Sequence, residues 1–302
     1  MRWIRRGLRL EERDYSVLFA LEKWGVLGQG QLDGMAFRKE ISPVERVRLF
    51  FNDTRRSDYW LGAYKRLWKL EKAGFIRSET RQIGQRKLYF LTGRGHRRLR
   101  WEGRAAMMRY RKGLASIWFR HELAVNAVGL VVSELLGFEV TTARERYARN
   151  RIPFKKLAEY RLIMSDLWIP DEAQPKVIEV ELGQKSERRY EEIWAAYRRG
   201  LPKGSVLLYL VGWPRGVECL LKHARRYGHP YIHVAHLRDF RRYLGRCAFT
   251  GWSPEGGYSQ VFLKKLNDSP AVPAEIVDNW NLEDRKGFRK FPIVSMEVNQ
   301  GA

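Results

Sequence analysis

The stretch that decides the fold is residues 165–185, which read SDLWIPDEAQPKVIEVELGQK. Its second half alternates as a strand does, with three apolar residues on one face, Ile178, Val180 and Leu182. Glu179 and Glu181 share the other face, where two neighbouring carboxylates repel each other. Oxygen ligands of this kind suit Mg²⁺ or Mn²⁺. If Asp166 lies on the neighbouring strand of a hairpin, three carboxylates converge, and the pattern predicts a metal site.

The charge of the chain restricts its partners. Among 302 residues, 57 are Lys or Arg and 34 are Asp or Glu, which gives a formal net charge of +23. Such an excess predicts a polyanionic partner, either nucleic acid or an anionic membrane. Nucleic acid is favoured, because the sequence has no long apolar span, signal peptide or lipidation motif. The two cysteines, Cys219 and Cys247, have no CxxC spacing, which predicts reduced thiols in a cytoplasmic protein without a zinc site.

The first hundred residues predict a small helical domain with a hairpin. Apolar residues recur at helical spacing in residues 14–24, and residues 29–37 are compatible with a second helix. Asp58 is placed to cap a third helix that ends at Gly74. Two short strands follow, separated by a polar turn, and then a basic helix over residues 93–100.

The phrase LEKAGFIRSE…QRKLYFLTGRGHRRL resembles the winged-helix DNA-binding fold, over about residues 12–100. The resemblance implies a third helix in the major groove and a wing on the backbone or the minor groove. It places eight basic residues at or beside DNA: Lys65, Arg66, Lys69, Arg81, Arg86, Lys87, Arg97 and Arg98. The alternative is that these residues form solvated faces of a protein-interaction module.

A basic linker helix is predicted over residues 101–116, and a second domain over residues 117–240. In that domain the pattern predicts a long helix at 117–136, then three strands at 138–142, 158–167 and 176–182. Ser186 caps the next helix, and an apolar strand at 206–211 follows. A helix at 214–227 and a strand at 231–234 extend the sheet. Residues 241–302 are predicted to be an irregular C-terminal extension.

This order of helix, three strands, helix and strand is similar to the PD-(D/E)XK nuclease superfamily, which has a mixed sheet flanked by helices. The fold class expected for the chain is therefore α/β (α+β), with a winged helix-turn-helix domain ahead of a restriction-endonuclease-like domain. HELAVNAV, an Asp, and IEVELGQKS ahead of RRYEEIWAAYRRG resemble the replication-relaxation family of plasmids and other mobile elements. That resemblance spans about residues 12–240.

The resemblance implies roles for the acidic residues. Asp166 and Glu179 take the positions of the two metal ligands, although Asp171 also follows a Pro and competes with Asp166. Glu181 stands where the motif has Lys, and Lys185 is close enough in sequence to supply the missing cation. Further support is expected from three polar residues, His121, Glu122 and Gln184. The alternative is that Glu179 and Glu181 line a solvated strand edge or pair with neighbouring arginines.

Three functions follow from these patterns. The first is a Mg²⁺- or Mn²⁺-dependent DNA endonuclease or nickase that acts on double-stranded DNA in replication, relaxation or mobilisation of a mobile element. The second is a catalytically silent DNA-binding accessory or transcription-regulatory protein that uses the nuclease fold as a platform. The third is an RNA-binding or RNA-processing protein. A relaxase or replication protein and a second copy of the chain are the protein partners considered, and no nucleotide cofactor is expected because no P-loop or dinucleotide loop is present.

Overall fold

The computed structural model describes residues 8–51, 61–80, 87–103, 119–149, 165–170, 174–253 and 257–263. The chain divides into two units, residues 1–270 and 271–302, and every described residue belongs to the first. The two halves predicted as separate domains therefore lie within one unit. The fold is a mixture of helices with two sheets, one of three strands and one of seven.

The N-terminal half carries five helices and a three-stranded sheet within its described residues. The helices are α1 Glu12–Trp24, α2 Gln29–Leu32 (continued by a π-helical turn, Asp33–Phe37), α3 Pro43–Phe50, α4 Leu61–Lys72 and α5 Gly93–Trp101. The strands are β1 Val26–Gly28, β2 Ile76–Glu79 and β3 Leu88–Leu91. The sheet order is β1-β3-β2 and both pairings are antiparallel.

Helix α4 shows how the sequence specifies this half. Ala63, Leu67 and Leu70 recur at helical spacing, and all three side chains are fully buried. The opposite side of α4 carries exposed lysines, so the helix has one apolar and one basic face. Gly74 follows at φ +75, a left-handed conformation that glycine adopts without a Cβ penalty, and the chain turns there into β2.

The C-terminal half carries a seven-stranded sheet. Its helices are α6 Phe119–Leu130 (continued by a π-helical turn, Val131–Leu135), α7 Ala143–Arg149, α8 Glu187–Gly200, α9 Gly216–Arg226 and α10 Leu237–Tyr243. Its strands are β4 Thr141–Thr142, β5 Leu167–Ile169, β6 Lys176–Glu181, β7 Val206–Val211, β8 Ile232–His236, β9 Phe249–Trp252 and β10 Tyr258–Val261. The order is β10-β9-β8-β7-β6-β5-β4.

Strand directions divide this sheet into three parts. β4, β5 and β6 pair antiparallel, whereas β6, β7 and β8 are parallel and are connected through α8 and α9. β9 and β10 add an antiparallel edge. The parallel strand β7 is buried along its whole length, as a strand covered on both faces must be.

The core on one face of the sheet is built from α8 and α9. Ser186 caps α8, as predicted, by accepting a hydrogen bond from the backbone N–H of Arg189 at 3.3 Å. Three aromatic side chains of α8 are buried, Tyr190, Trp194 and Tyr197. They pack with alternate residues of the strands, Val177, Leu207, Tyr209, Val211, Ile232 and Val234.

Helix α6 joins the two halves of the unit. The Asn126 side chain donates through Nδ2 to the carbonyl of Trp24 at 3.2 Å and to that of Val26 at 2.5 Å. In the opposite direction, the Gln31 side chain of α2 donates through Nε2 to the carbonyl of Leu123 on α6 at 3.1 Å. Gly129 has no room for a side chain, because a Cβ there would lie 2.3 Å from the Trp24 indole.

The structure corrects several predicted bounds. Residues 241–302 were predicted to be irregular, but β9 and β10 extend the sheet through Val261, because their antiparallel pairing covers the exposed edge of β8. The strand predicted at 138–142 is only two residues long. Most of the strand predicted at 158–167, and residues 104–116 of the predicted linker, lie outside the described residues.

Cys219 and Cys247 are both free thiols, and Cys247 is buried. Within the described ranges, none of the helices combines the length and apolar character needed to cross a membrane.

We expect Asn126→Ala to destabilise the whole unit. The substitution leaves two buried carbonyl groups without their donor, and an unsatisfied buried polar group costs about 1–3 kcal/mol in free energy of unfolding. Urea denaturation followed by circular dichroism should show one cooperative transition at a lower midpoint. Exposed Gln184→Ala is the control and should leave the midpoint unchanged. Two separate transitions, only one of which shifts, would contradict the description of residues 1–270 as a single unit.

Candidate metal and active site

Asp166 and Glu179 meet on neighbouring strands. β5 and β6 are antiparallel, with Leu167 opposite Ile178, and extending this register by one residue brings Asp166 opposite Glu179. Asp166 is further held by β6, because its Oδ2 accepts a hydrogen bond from the backbone N–H of Val180 at 2.8 Å. The antiparallel pairing predicted from the sequence is therefore confirmed, with its first strand at Leu167–Ile169, and it places two of the three predicted acids side by side.

The environment of Glu179 disfavours its charge. The side chain is half-buried beneath α8, and this burial, with the negative charge of Asp166 beside it, raises the pKa of Glu179 to about 8. Three groups oppose the shift: the hydroxyl of Tyr197, which donates a hydrogen bond to Oε1, and the cations Lys185 and His121. A carboxylate held in this way releases its proton more easily when a further cation arrives.

His121, at the start of α6, contacts Asp166. Its Nε2 lies 3.3 Å from Oδ2 of Asp166 and 2.8 Å from the carbonyl oxygen of Val180. Burial acts to lower the pKa of His121, but the nearby carboxylates, Asp166 first, outweigh it and raise the pKa to about 9. At neutral pH the imidazole is therefore protonated and partly neutralises the acid pair.

Glu181 and Lys185 form an ion pair at the end of β6. Burial lowers the pKa of Lys185, against the pull of Glu179 and Asp166, so its ammonium group lies within electrostatic reach of the acid pair. The loop is fixed by Tyr190, whose hydroxyl accepts a hydrogen bond from the backbone N–H of Lys185 at 3.1 Å. Lys185, four residues after Glu181, therefore places a positive charge near the acid pair.

Not every predicted supporting residue reaches this site. Gln184 is exposed, and its Nε2 lies 3.5 Å from the Sγ of Cys219 on α9, so it is directed away from the acid pair. Glu122 acts on the site through the charge of His121, whose pKa it helps to raise. Asp171, the alternative first ligand, lies outside the described residues.

The donor set of the acid pair fits a small divalent cation. Within the described ranges, no three His, Cys, Asp or Glu side chains form a group that could hold a metal ion. Mg²⁺, however, is commonly held by one or two carboxylates and completes its shell with water and substrate phosphate. Asp166 and Glu179 meet that requirement, since the described hydrogen bonds engage only one oxygen of each carboxylate. Glu181, the third predicted ligand, is paired with Lys185 instead.

The predicted DNA-facing residues separate into two groups. Lys65 and Lys69 on α4, and Arg97 on α5, are exposed. Lys87, at the start of β3, is partly exposed and lies 3.7 Å from Glu71. Arg81 and Arg86, which were predicted on the wing, lie outside the described residues.

Arg66 and Arg98 are engaged within the protein. The guanidinium of Arg66 binds the buried carboxylate of Asp14 through two hydrogen bonds, one of them from Nε at 2.7 Å, and so fastens α4 to α1. Arg98 donates to the hydroxyl of Tyr15 at 3.1 Å and pairs with Glu102 at 2.5 Å. Both contacts hold neighbouring helices together; the Arg66 side chain is only 14% exposed, whereas that of Arg98 keeps 38% of its surface exposed.

Tyr197 is the residue of the site that the sequence analysis did not identify. Its spacing along α8 predicts an inward-facing aromatic side chain, and that part is confirmed. A signal for its polar role was present, because a buried tyrosine hydroxyl needs a partner and the facing strand carries carboxylates. Its pKa is raised well above the ordinary value, by burial first and then by the charge of Glu179.

Comparison of the chain with protein-family models, with curated proteins and with solved structures found no match.

We expect the stability of the metal-free protein to fall as the pH rises from about 6.5 to 9. The raised pKa of His121 contributes stability that is complete below its unfolded value of 6.5 and is lost as the pH passes about 9. The raised pKa of Glu179 acts in the same direction between 4.5 and about 8. Thermal unfolding in EDTA measures this, and the loss at His121 is on the order of 1–3 kcal/mol after allowance for solvent screening.

His121→Gln and Glu179→Gln should each flatten this pH profile, since each removes one of the two titrating groups. His236→Gln is the control, as it removes a histidine at the end of β8. A stability that rises over this range in the unmodified protein would contradict the assignment of raised pKa values to the site.

Proposed function

We propose that the protein is a DNA-binding, metal-dependent phosphodiesterase, an endonuclease or nickase that acts on double-stranded DNA. The observation that carries the proposal is the half-buried acid pair Asp166 and Glu179, with Lys185 beside it, in a chain of net charge +23. A strongly basic protein with a pair of neighbouring carboxylates that can hold a metal ion has the electrostatic features of a nuclease.

The topology of the C-terminal half supports a PD-(D/E)XK-like arrangement. Helix α6 precedes the antiparallel strands β4, β5 and β6, after which α8 leads to the parallel strand β7. Apart from α7, which is inserted between β4 and β5, this is the order of helix, three strands, helix and strand expected for that superfamily. The acids lie at the start of its second strand and on its third. β8, β9 and β10 are additions to this core.

The topology of the N-terminal half supports a winged-helix arrangement. α4 precedes a hairpin of β2 and β3, and the short strand β1 pairs beside β3. In such a fold α4 is the helix that enters the major groove. The exposed residues Lys65 and Lys69 lie on it, which is consistent with contacts to the phosphate backbone.

The chemistry assigned to the site is hydrolysis of a phosphodiester. Asp166 and Glu179 would hold Mg²⁺ or Mn²⁺, which when bound polarises the phosphate and lowers the pKa of water. Tyr197 orients Glu179, and the backbone N–H of Val180 orients Asp166. Lys185 stabilises the negative charge that develops on the phosphate oxygens as the water oxygen bonds to phosphorus and the sugar oxygen leaves. The proton of that water would pass to Glu181 or to bulk solvent, and the leaving sugar oxygen would take up a proton from solvent.

A second function is favoured by a specific observation. His121 lies against both Asp166 and the Val180 carbonyl, and Lys185 pairs with Glu181, so the acids already have cationic partners inside the protein. A site neutralised in this way is what a catalytically silent DNA-binding accessory or regulatory protein would retain for stability. The two functions differ in whether a divalent cation displaces the internal partners.

The biological setting proposed for either function is a plasmid or another mobile element. It follows from the resemblance of residues 12–240 to the replication-relaxation family, so it rests on sequence phrases and on the architecture rather than on a matched relative. A relaxase or replication protein and a second copy of the chain are the proposed protein partners.

Incubation of supercoiled plasmid with the protein and Mg²⁺, Mn²⁺ or EDTA tests the proposal. We expect nicked or linear plasmid with either metal and none with EDTA, and we expect Asp166→Ala and Glu179→Ala to abolish cleavage while the plasmid is still retarded in a gel. Asp239→Ala on α10 is the matched acidic control. Intact plasmid in every lane, with retardation retained, would sink the nuclease and leave the silent DNA-binding function.

Lys185→Ala and Glu181→Gln separate the two roles assigned at the end of β6. If Lys185 stabilises the developing charge, its removal should lower the single-turnover cleavage rate by about 10²–10³-fold, the usual effect of deleting such a group. Glu181→Gln should then have a small effect, because it leaves the Lys185 ammonium in place. The reverse ranking, with a cleavage rate that loses its pH dependence in Glu181→Gln, would assign Glu181 as the base.

A further inference from the structure

The exposed face of α4 carries an aromatic side chain among its lysines. Leu61, Lys65, Trp68 and Lys72 recur at intervals of three and four residues, so they lie in one row, with Lys69 beside it. Trp68 is 48% exposed, although an indole is among the largest apolar groups available to a core. The opposite face of the same helix is fully buried, so the tryptophan does not serve the packing of α4.

Three exposed lysines lie beside Trp68 on α4, whereas the nearby Glu71 is engaged with Ser78 and Lys87. The ammonium group of Lys72 lies 5.8 Å from the centre of the Trp68 ring, a cation–π contact that limits the freedom of both side chains. Among the described residues, no carboxylate forms an ion pair with Lys65, Lys69 or Lys72. A row of unpaired cations around an apolar centre is complementary to a polyanion that also exposes apolar surface.

We propose that Trp68 is an apolar contact to base edges in the major groove of duplex DNA, with Lys65, Lys69 and Lys72 placed on the flanking phosphates. The inference rests on the proposed DNA-binding function and deepens it by naming a residue that touches the bases. A helix of about 10–12 Å in diameter fits a major groove about 12 Å wide, and thymine methyl groups are the apolar surface exposed there.

The geometry favours duplex over single-stranded DNA. The Lys72 ammonium group lies over one face of the Trp68 ring, which leaves at most the other face for stacking on an unpaired base. What the helix presents outward is an exposed indole beside lysines, which suits contact with the edges of stacked base pairs. Trp68 and the lysines therefore affect DNA binding differently. Lysines release counterions from the phosphates, so they contribute to the salt dependence of the affinity, whereas the indole contributes to the affinity alone.

Fluorescence anisotropy with a labelled mixed-sequence duplex two helical turns long tests this division. The measurements are made in EDTA, so that cleavage does not interfere, and at several salt concentrations. We expect Trp68→Ala to weaken binding about five- to thirtyfold at every salt concentration, with the slope of log K against log [salt] unchanged. Lys65→Ala and Lys69→Ala should each reduce that slope by about 1. Trp68→Phe should lie between Trp68→Ala and the unmodified protein.

Tyr258→Ala is the matched control, because it removes an aromatic side chain that is 69% exposed on β10, in the other half of the unit. It should bind as the unmodified protein does, and circular dichroism should show every variant folded. Binding of Trp68→Ala equal to that of the unmodified protein overturns the inference alone. An unlabelled single strand that competes better than duplex, with the preference lost in Trp68→Ala, overturns it in favour of stacking. No binding by the unmodified protein overturns the proposed function as well.

Discussion

Two carboxylates placed opposite each other in a half-buried part of a sheet are the constraint on which this structure depends. Asp166 and Glu179 are brought together by the β5–β6 register, and neither burial nor mutual repulsion allows both to ionise without compensation. The protein surrounds them with donors from three different elements: His121 from α6, Lys185 from the loop after β6, and the Tyr197 hydroxyl from α8. Each of these elements must be in place before the acids are stable, so the site and the packing of the sheet depend on one another.

Three aromatic side chains of α8 make hydrogen bonds at or near the acid pair. Tyr190 fixes the loop that carries Lys185, Trp194 donates to the hydroxyl of Tyr209 at 3.1 Å, and Tyr197 reaches Glu179. Every buried polar atom in this series has a partner, which keeps an otherwise apolar interface specific. The Lys185 backbone and the Glu179 carboxylate are held by the same face of one helix, so their relative positions are set by helical geometry rather than by the loop between them.

Much of this arrangement could be predicted from the sequence, and the failures have physical causes. The strand predicted at 176–182, the Ser186 cap and the apolar strand at 206–211 are local signals, and the structure confirms all three, although both faces of β6 are buried where the alternation predicted one. The acid pair was predictable because a short turn between two strands implies a hairpin. β9 and β10 were missed because their pairing depends on the distant edge of β8. Arg66 was predicted to face DNA because helical spacing indicates only the side of α4 on which a residue lies. Spacing does not reveal that Arg66 binds Asp14, which lies fifty-two positions earlier in the chain. Which cation neutralises the acids is likewise invisible in sequence, since His121 and Lys185 approach from different elements.

Helix α6 affects how the two halves of the unit would act on one DNA molecule. It begins at Phe119, carries His121 beside the acid pair in its first turn and, within three turns, inserts Asn126 and Gly129 into the N-terminal half, so this helix joins the two regions by direct contact. In the proposed function, the distance between the duplex segment held by α4 and the phosphodiester presented to Asp166 is then a fixed property of the protein. The phosphodiester that reaches the acid pair would then lie at a constant number of base pairs from the segment bound by α4, whatever the sequence between them.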